Sequence, residues 1–410
     1  MRRSLLPHSP LLPLLSLLLV CCSCLISGCR QSKPDDSSVA SVASAPIEHE
    51  TEWADSIIHS MSVEERIGQL FMPAVYSRLE PSDLEQLRFY ADSCHVGGLL
   101  LLQGSAEEAS AVGQEMDRIS AVAPWIAIDA EWGLGMRIKD APAFPRNGSM
   151  NPRTDTGILY DYGEELAREC RVLGINMVMG PVADIADKES FIGSRSFGSD
   201  PQRVADLATA YASGLESGGV VSVAKHFPGH GRGKADSHLE TPVIDISKDS
   251  LEATDLYPFR RYADAGLSAI MAGHIVVTAL DSTGLPATVS KSMLSDLLRE
   301  DIGFEGLIIT DALNMGGVSG YKAADAIAAG ADIVVAPAHT LEEIREVARR
   351  VKNGILPLSV INDRCRRILL YKYRRRVDGP LKRKQITGNS ERLRKILNFG
   401  TDSLITRLAR

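Results

Sequence analysis

The chain has 410 residues, of which 44% are hydrophobic and 24% charged, and its formal net charge is −7 at pH 7. This weakly acidic balance gives no general case for nucleic-acid binding. The length alone allows one large domain or two small ones, so the pattern of predicted elements has to decide between them.

The first 28 residues have the pattern of a secretory signal. A basic start precedes an apolar stretch from Leu5 to Val20, which prolines and a histidine interrupt, so a membrane span is disfavoured. The sequence LISGC, which ends at Cys29, resembles a bacterial lipobox, and the resemblance implies cleavage before Cys29 and acylation of its thiol. We therefore expect lipid anchoring to a bacterial membrane in the cell envelope, at the outer membrane or on the periplasmic side. A plain signal peptide is the alternative.

After this signal, residues 29–50 are small and polar and are predicted to form a flexible tether to a globular domain over residues 51–377. Three cysteines would remain besides Cys29, namely Cys94, Cys170 and Cys365. An odd, scattered set without C-x-x-C spacing argues against a disulfide framework or a zinc site. We therefore predict that these cysteines are small buried hydrophobic residues.

Short apolar runs alternate with amphipathic patterns along this domain. The apolar runs predict strands at Ile67–Val75, Gly97–Leu102, Trp125–Ile128, Ile175–Val182, Val220–Ala224, Ala269–Met271, Leu307–Ile309 and Ile333–Val335. The amphipathic patterns predict helices at Ser82–Cys94, Ser105–Ala121, Gly157–Val172, Pro201–Ser217, Ser290–Asp301 and Thr340–Lys352. This alternation predicts a (β/α)8 barrel of the TIM type. A doubly wound sheet is the alternative, but no G-x-G-x-x-G follows the first strand.

Polar side chains follow five of the predicted strands, at the end where such barrels carry their active sites. In chain order they are Asp129 and Glu131, Asp184, Lys225 and His226, His274, and Asp311. An aspartate directly after an apolar strand is costly unless the site uses or neutralises its charge. We therefore predict that these residues belong to one site.

Three segments of the chain resemble a known family. Residues 225–238 read KHFPGHGRGKADSH, with three histidines in a glycine-rich loop, and resemble the signature of the N-acetyl-β-glucosaminidase branch of glycoside hydrolase family 3. The segment IITDALNM, residues 308–315, resembles the nucleophile segment of that family, and SRSFGSDP, residues 194–201, is similar to its arginine-bearing loop. The chain is thus identified as a member of this family in its single-barrel form.

The resemblance implies a monomeric, retaining exo-β-N-acetylglucosaminidase that needs no metal or cofactor. It implies Asp311 as the nucleophile and His238 as the acid/base, with Asp236 orienting the imidazole. The implied sugar-binding residues are Asp129, Arg137, Arg195, Lys225 and His226. The implied substrate is a β-linked glycan with a terminal GlcNAc, such as a peptidoglycan fragment.

Two departures from the family pattern lie near the expected mouth of the site, namely Trp132 in place of a glycine and Arg232-Gly233 in place of Asp-Thr. Trp132 either forms a stacking wall or packs behind the pocket. A β-N-acetylglucosaminide phosphorylase with the same covalent intermediate and a non-catalytic glycan-binding lipoprotein stay open as alternatives. A substrate-assisted hexosaminidase is disfavoured, because residues 184–189 do not complete the pattern D-x-x-D-x-D-x-E.

Lysines and arginines are concentrated between Arg364 and Lys384. We predict that they form the solvated face of the last barrel helix and a basic C-terminal extension over residues 378–410. Within this extension, residues 390–410 have the pattern of a further helix. Contact with anionic lipid or a cell-wall polymer is the less favoured interpretation of this charge.

Overall fold

The computed structural model describes residues 48–150, 152–187, 189–233, 240–318, 320–377, 390–399 and 401–409, and shows an α/β fold with parallel strands. The strands are β1 (Phe71–Met72), β2 (Ala74–Ser77), β3 (Gly98–Gly104), β4 (Trp125–Ile128), β5 (Met177–Val178), β6 (Val221–Phe227), β7 (Val243–Ile244), β8 (Ala269–Ala272), β9 (Val276–Val277), β10 (Leu307–Thr310) and β11 (Val334–Val335). Each long connection between neighbouring strands carries helical segments.

The α-helices are α1 (Glu48–Ser60), α2 (Val63–Gly68), α3 (Pro81–Arg88), α4 (Ala106–Ile119), α5 (Thr156–Val172), α6 (Pro201–Ser217), α7 (Lys248–Ala253), α8 (Tyr257–Asp264), α9 (Ala323–Ala329), α10 (Thr340–Lys352), α11 (Leu358–Arg374), α12 (Ser390–Leu397) and α13 (Thr401–Ala409). Two further segments, Phe89–Ser93 and Ser292–Asp301, are π-helical. Among the described parts of the chain, no helix is both long enough and apolar enough to cross a membrane.

The main sheet has seven parallel strands in the order β2-β3-β4-β5-β6-β8-β10. This order follows the chain without reversal, whereas a doubly wound sheet reverses its order at one point. The ladder is open between β10 and β2, and a separate two-stranded ladder joins β1 to β11. The described strands therefore form a curled half-barrel, which confirms the predicted alternation of parallel strands and helices.

The strands form where apolar residues are buried on both faces, as expected for a parallel sheet covered by helices. All residues of β4, β6 and β10 are buried. Outside the sheet, α5 and α6 pack closely at Gly163. A Cβ added at this position would lie only 2.2 Å from the Tyr211 carbonyl oxygen, so the two helices could not approach as closely with a larger residue there. This layered packing leaves the carboxyl ends of the strands free to carry the site.

Two predicted boundaries near the start of the domain differ from those in the structure. The first predicted strand began at Ile67, but α2 occupies this position, because Ser62 and Glu65 form a capping box that starts the helix. The tether was predicted to run to residue 50, but α1 begins at Glu48. Glu50 is buried there in an ion pair with Arg374, at 2.9 Å.

Four of the five basic residues of α11 are buried or half-buried, so the prediction that they form a solvated face is wrong for most of this helix. Lys372 is fully buried and donates a hydrogen bond to Gln69. Arg375, just after the helix, is buried in an ion pair with Glu216, and Arg367 pairs with the buried Asp332. These contacts fix α11 and the residues just after it in place, since they pair each of these charges with a specific partner.

The C-terminal extension contains two short helices, where the sequence predicted a single one. Leu393, Leu397 and Leu408 on α12 and α13 are fully buried. Residues 378–389, which carry the rest of the predicted basic tail, lie outside the described ranges. The predicted burial of the cysteines is confirmed, since Cys94, Cys170 and Cys365 are free and buried.

Candidate active site

A cleft of about 500 Å³ lies at the carboxyl ends of the strands. Seven of the sequence-predicted site residues line this cleft, namely Asp129, Glu131, Arg137, Arg195, Lys225, His226 and Asp311. They come from four different strand ends or the loops that follow them, and the fold brings them together. This is the arrangement by which barrel-type enzymes assemble a site from distant parts of the chain.

A network of ion pairs forms one wall of the cleft, centred on Lys225. The Lys225 Nζ lies 3.0 Å from Asp129 Oδ1 and 2.8 Å from Glu131 Oε1, and Arg137 lies 2.6 Å from the other oxygen of Asp129. Burial by itself raises the pKa of Asp129, but the charges of Lys225 and Arg137 outweigh it and hold this pKa below its usual range. Burial lowers the pKa of Lys225, but both carboxylates outweigh it and raise this pKa. Asp129 and Lys225 are therefore both charged at neutral pH.

Arg195 extends the same network across the cleft. Its guanidinium binds Glu131 in a bidentate pair, with distances of 3.0 and 2.8 Å. The backbone of Arg195 is fixed by Asn147, whose side-chain amide donates to the Arg195 carbonyl oxygen at 2.7 Å. Burial opposes the ionisation of Glu131, but Lys225 and Arg195 hold its pKa well below the usual range. A fixed set of donors and acceptors results, which suits a ligand with several hydroxyl groups.

Asp184, which follows β5, organises His226 and His230. Its carboxylate is fully buried and accepts hydrogen bonds from the backbone N–H groups of His226 and His230, at 3.1 and 2.7 Å. The same carboxylate lies 2.7 Å from His226 Nδ1. Burial raises the pKa of Asp184, but the histidines outweigh it and keep this pKa below the usual range. Asp184 thereby orients the His226 ring toward the cleft.

Asp311 follows β10 directly and is half-buried in the cleft. Its backbone N–H donates to the Ala272 carbonyl oxygen at 2.9 Å, and Ala312 N–H donates to its carboxylate at 2.8 Å. Burial raises the pKa of Asp311, but the nearby His274 and His226 and the Ala312 amide outweigh it and hold this pKa below its usual range. Asp311 is therefore an ionised carboxylate that is fixed in direction, as a nucleophile or an electrostatic stabiliser must be.

The open side of the cleft carries an aromatic and cationic pair. Of the two positions predicted for Trp132, the structure gives the first, since the half-buried side chain lines the cleft. The guanidinium of Arg146 lies over the Trp132 ring, 4.4 Å from its centroid. Apolar side chains line other parts of the wall, namely Leu100, Leu102, Met136, Met179, Met271 and Met315.

Two residues of the site, His230 and Arg146, were missed by sequence reasoning. Glu131 and Asp184 were predicted, because each follows a strand, but their partners lie far away in the sequence and were not. His230 lies in the glycine-rich loop and lines the cleft with 1% exposure, but a histidine in a loop does not reveal its burial. Arg146 had no signal, because neither a motif nor a strand end marks its position.

The predicted acid/base pair cannot be placed, because Asp236 and His238 lie within residues 234–239, outside the described ranges. Cys29 lies outside them too. In the described part of the chain, no group of three or more histidine, cysteine or carboxylate side chains could hold a metal ion.

The fold and the cleft together define a protein that binds a small, hydroxyl-rich molecule beside an ionised carboxylate. The family model described as the N terminal domain of glycosyl hydrolase family 3 matches residues 62–370. The chain therefore belongs to glycosyl hydrolase family 3, as its motifs predict, and is a glycoside hydrolase.

Individual relatives agree with this membership. A beta-hexosaminidase of Nitrosomonas eutropha is 35% identical over 285 residues, which cover 66% of this chain and 80% of that protein. The structure of a family 3 beta-N-acetylglucosaminidase from Paenibacillus is similar with a TM-score of 0.75 at 27% identity, over 82% of this chain and 68% of that one. For a beta-N-acetylhexosaminidase from Beutenbergia cavernae, the TM-score is 0.68 at 27% identity, over 76% of this chain and 99% of that one.

Proposed function

We propose that the protein is a retaining exo-β-N-acetylglucosaminidase, which removes a terminal GlcNAc from β-linked glycans such as peptidoglycan fragments. The observation that carries this proposal is the ionised, directed carboxylate of Asp311 in a cleft lined by paired donors and acceptors. The names of the relatives support the sugar specificity.

In this proposal the reaction has two steps. The Asp311 carboxylate attacks the anomeric carbon, the glycosidic bond breaks, and the leaving oxygen takes a proton from His238. A water molecule then gives a proton back to His238 and attacks the same carbon, which releases Asp311. Two inversions leave the β-configuration unchanged. Asp236 would orient the His238 imidazole and stabilise its protonated form.

The charged wall would hold the sugar in place for this attack. Asp129 and Glu131 supply acceptors for ring hydroxyls, and Lys225, Arg137 and Arg195 supply donors. Because these groups are already paired with each other, little reorganisation is needed when the sugar binds. We assign His226 to the same sugar site, since Asp184 fixes its ring in the cleft.

We also infer that the strands close into a complete (β/α)8 barrel. Contacts on both sides of β11 support closure. Ile333, just before β11, forms a parallel bridge with Ile309 of β10, and Val334 N–H donates to the Leu70 carbonyl oxygen at 2.8 Å. The β1–β11 pair would then complete the ring between β10 and β2.

We further propose that the protein is a monomer held to a bacterial membrane by a lipid on Cys29, as the lipobox resemblance implies. The substitution Cys29→Ser should then move the protein from the membrane fraction to the soluble fraction. Equal partitioning of this variant and the wild type in a detergent phase separation would exclude the anchor.

The activity and the roles of the two catalytic groups can be tested together with aryl glycosides. The wild type should cleave 4-nitrophenyl β-GlcNAc much faster than 4-nitrophenyl β-glucoside. With the β-GlcNAc substrate, His238→Ala should form the glycosyl-enzyme and then stall, because no base activates water, and azide should restore turnover and give a β-glycosyl azide. Asp311→Ala lacks the nucleophile, so azide should not yield a β-azide product.

Three results would contradict the proposal. A preference for the glucoside would overturn the sugar specificity. A glycosyl phosphate as the main product in phosphate buffer would favour a phosphorylase. If Asp311→Ala and His238→Ala each lowered the rate by less than a few-fold, the assignment of the catalytic residues would be wrong.

A further inference from the structure

The open side of the cleft carries a cation that is not used by the ionic network of the wall. Arg146 is exposed and lies over Trp132, and both side chains line the same cleft as Asp311. Its only polar side-chain contact within the described ranges is with Ser194 Oγ, at the long distance of 3.5 Å. No described carboxylate lies within ion-pair distance of its guanidinium.

The other lysine and arginine side chains of the cleft are matched to carboxylate partners. Arg137 and Lys225 bind Asp129, while Lys225 and Arg195 bind Glu131. These residues are buried or half-buried, so they form the inner part of the site, while Arg146 stands at its exposed edge. An anionic group that enters the cleft would therefore find its unpaired positive partner at the outer edge.

Arg146 is held in this place by its backbone. The Arg146 carbonyl oxygen accepts hydrogen bonds from the backbone and the hydroxyl of Ser149, at 2.9 and 2.8 Å. The neighbouring Asn147 is fastened to the carbonyl of Arg195, and Phe144 N–H donates to the Trp132 carbonyl oxygen at 2.9 Å. The segments that carry Trp132 and Arg146 are thus joined to each other and to the inner site.

We propose that Trp132 and Arg146 form a leaving-group subsite that binds a carboxylate on the part of the glycan beyond the bond that is cleaved. An exo-acting enzyme takes the terminal sugar into the inner site, so the rest of the glycan must pass the open side. A guanidinium that is stacked on an indole ring keeps its N–H edge free for a bidentate contact with a carboxylate. This inference rests on the proposed function and specifies its substrate as a glycan with an acidic leaving group.

The test compares two substrates that differ in charge and are close in size. They are aryl β-GlcNAc compounds whose leaving groups are 3-carboxy-4-nitrophenol and 3-carboxamido-4-nitrophenol. The measured quantity is kcat/KM for the acidic substrate divided by kcat/KM for the neutral substrate. When this ratio is compared between variants, the intrinsic difference in leaving ability between the two phenols cancels. In Arg146→Gln this ratio should fall about fivefold from the wild-type value, as for the loss of a partly exposed ion pair. High salt should lower the ratio in the wild type but not in this variant.

Two further variants complete the test. Arg146→Lys keeps the charge but loses the planar stacking group, so its ratio should lie between those of the wild type and Arg146→Gln. Arg118→Gln makes the same charge change on the exposed part of α4, away from the cleft lining, and should keep the wild-type ratio.

An equal ratio in Arg146→Gln and the wild type would overturn the subsite while leaving the proposed glycosidase activity intact. A fall in the Arg118→Gln ratio as large as that in Arg146→Gln would also overturn it, because the effect would then be one of net charge. If the wild type cleaved neither substrate nor 4-nitrophenyl β-GlcNAc, the proposed function and the subsite would both be wrong.

Discussion

His230 is buried in the wall of the cleft, and within the described ranges neither of its ring nitrogens has a hydrogen-bond partner. Burial and the neighbouring His226 lower its pKa, so the ring is neutral at pH 7. Its ring stands edge-on to His226, with the centroids 5.8 Å apart. Unpaired buried polar atoms lower the stability of the fold. At a binding site this loss has a reason if the ligand forms the missing hydrogen bond.

We therefore expect His230→Leu to separate stability from activity. The melting temperature should stay within about 2 °C of the wild type or rise, because two unpaired polar atoms are removed and the volume is nearly kept. The kcat/KM for aryl β-GlcNAc should fall about tenfold or more. Both values follow from a thermal melt and a steady-state assay.

The matched control is His59→Leu at the exposed end of α1, which should change neither quantity by much. A melting temperature several degrees lower for His230→Leu, together with unchanged kcat/KM, would show that His230 serves only the packing of the loop.

Most of the inner site could be predicted from the sequence, because residues after parallel strands meet at one edge of the sheet. Asp129, Lys225 and Asp311 are found in this way. The pairing of Arg195 with Glu131 could not be predicted, because it depends on how a loop 64 residues away folds back over the cleft. Arg146 could not be predicted either, since its function would come from stacking on Trp132 and not from its place in the sequence.

The buried Asp332 holds α11 in place. This carboxylate is fully buried and pairs with Arg299, Arg364 and Arg367 at 3.0, 3.3 and 2.5 Å. It also accepts a hydrogen bond from the backbone of Ile308 in β10. The cluster therefore ties α11 to the strand that precedes Asp311.

The substitution Asp332→Asn should destabilise the protein by about 3 kcal/mol or more, because it leaves the arginines without their buried counter-charge. Urea unfolding at pH 7 measures this loss. Asp296→Asn, at an exposed ion pair with Lys291, is the control and should change the free energy of unfolding by less than about 1 kcal/mol. A similar small change for Asp332→Asn would show that the cluster does not hold the helix.

The same cluster predicts part of the pH dependence of stability. Burial raises the pKa of Asp332, but Arg367, Arg299 and Arg364 outweigh it, so this pKa is lower in the folded protein than in the unfolded chain. The ionised carboxylate therefore stabilises the fold above its unfolded pKa of about 3.9. This contribution is lost as the pH falls through the folded pKa, and Asp332→Asn should remove it.

The elements themselves were predicted well where the hydrophobic period is regular. The bounds of α6, α10 and β4 agree with the prediction, because each has a clear start and end in the sequence. The basic pattern of α11 led to the prediction of a solvated face. A charged helix face has the same sequence pattern whether water or a buried carboxylate covers it. The start of α2 was missed since its capping box lies directly before an apolar run.

At the scale of the whole molecule, the C-terminal helices are part of the packed structure. The fully buried Leu397 ends α12, and Arg168 of α5 donates to the carbonyl oxygens of Ile396 and Leu397 at 2.8 and 2.9 Å. Thr401 at the start of α13 donates to Glu165 of α5 at 2.8 Å. These contacts bind α12 and α13 to α5, far in sequence from the loops that line the cleft.

We expect Leu397→Ala to lower the free energy of unfolding by about 2–5 kcal/mol, as for other buried leucines, with little change in kcat/KM. Leu358→Ala, at a leucine that is 38% exposed, is the matched control and should cost much less. Equal losses for the two variants in urea unfolding would mean that the C-terminal helices add no packed core.

The role of Asp311 as the nucleophile is tested most directly by trapping the covalent intermediate. 5-Fluoro-β-GlcNAc fluoride should trap this intermediate. The glycosyl-enzyme forms because fluoride leaves easily, and it hydrolyses slowly because the ring fluorine disfavours the positively charged transition state. Mass spectrometry should show one added sugar on the peptide that contains Asp311, and none in Asp311→Asn. A sugar attached to Asp129 or Glu131 would contradict the account, as would release of the α-anomer as the first product from an aryl β-GlcNAc.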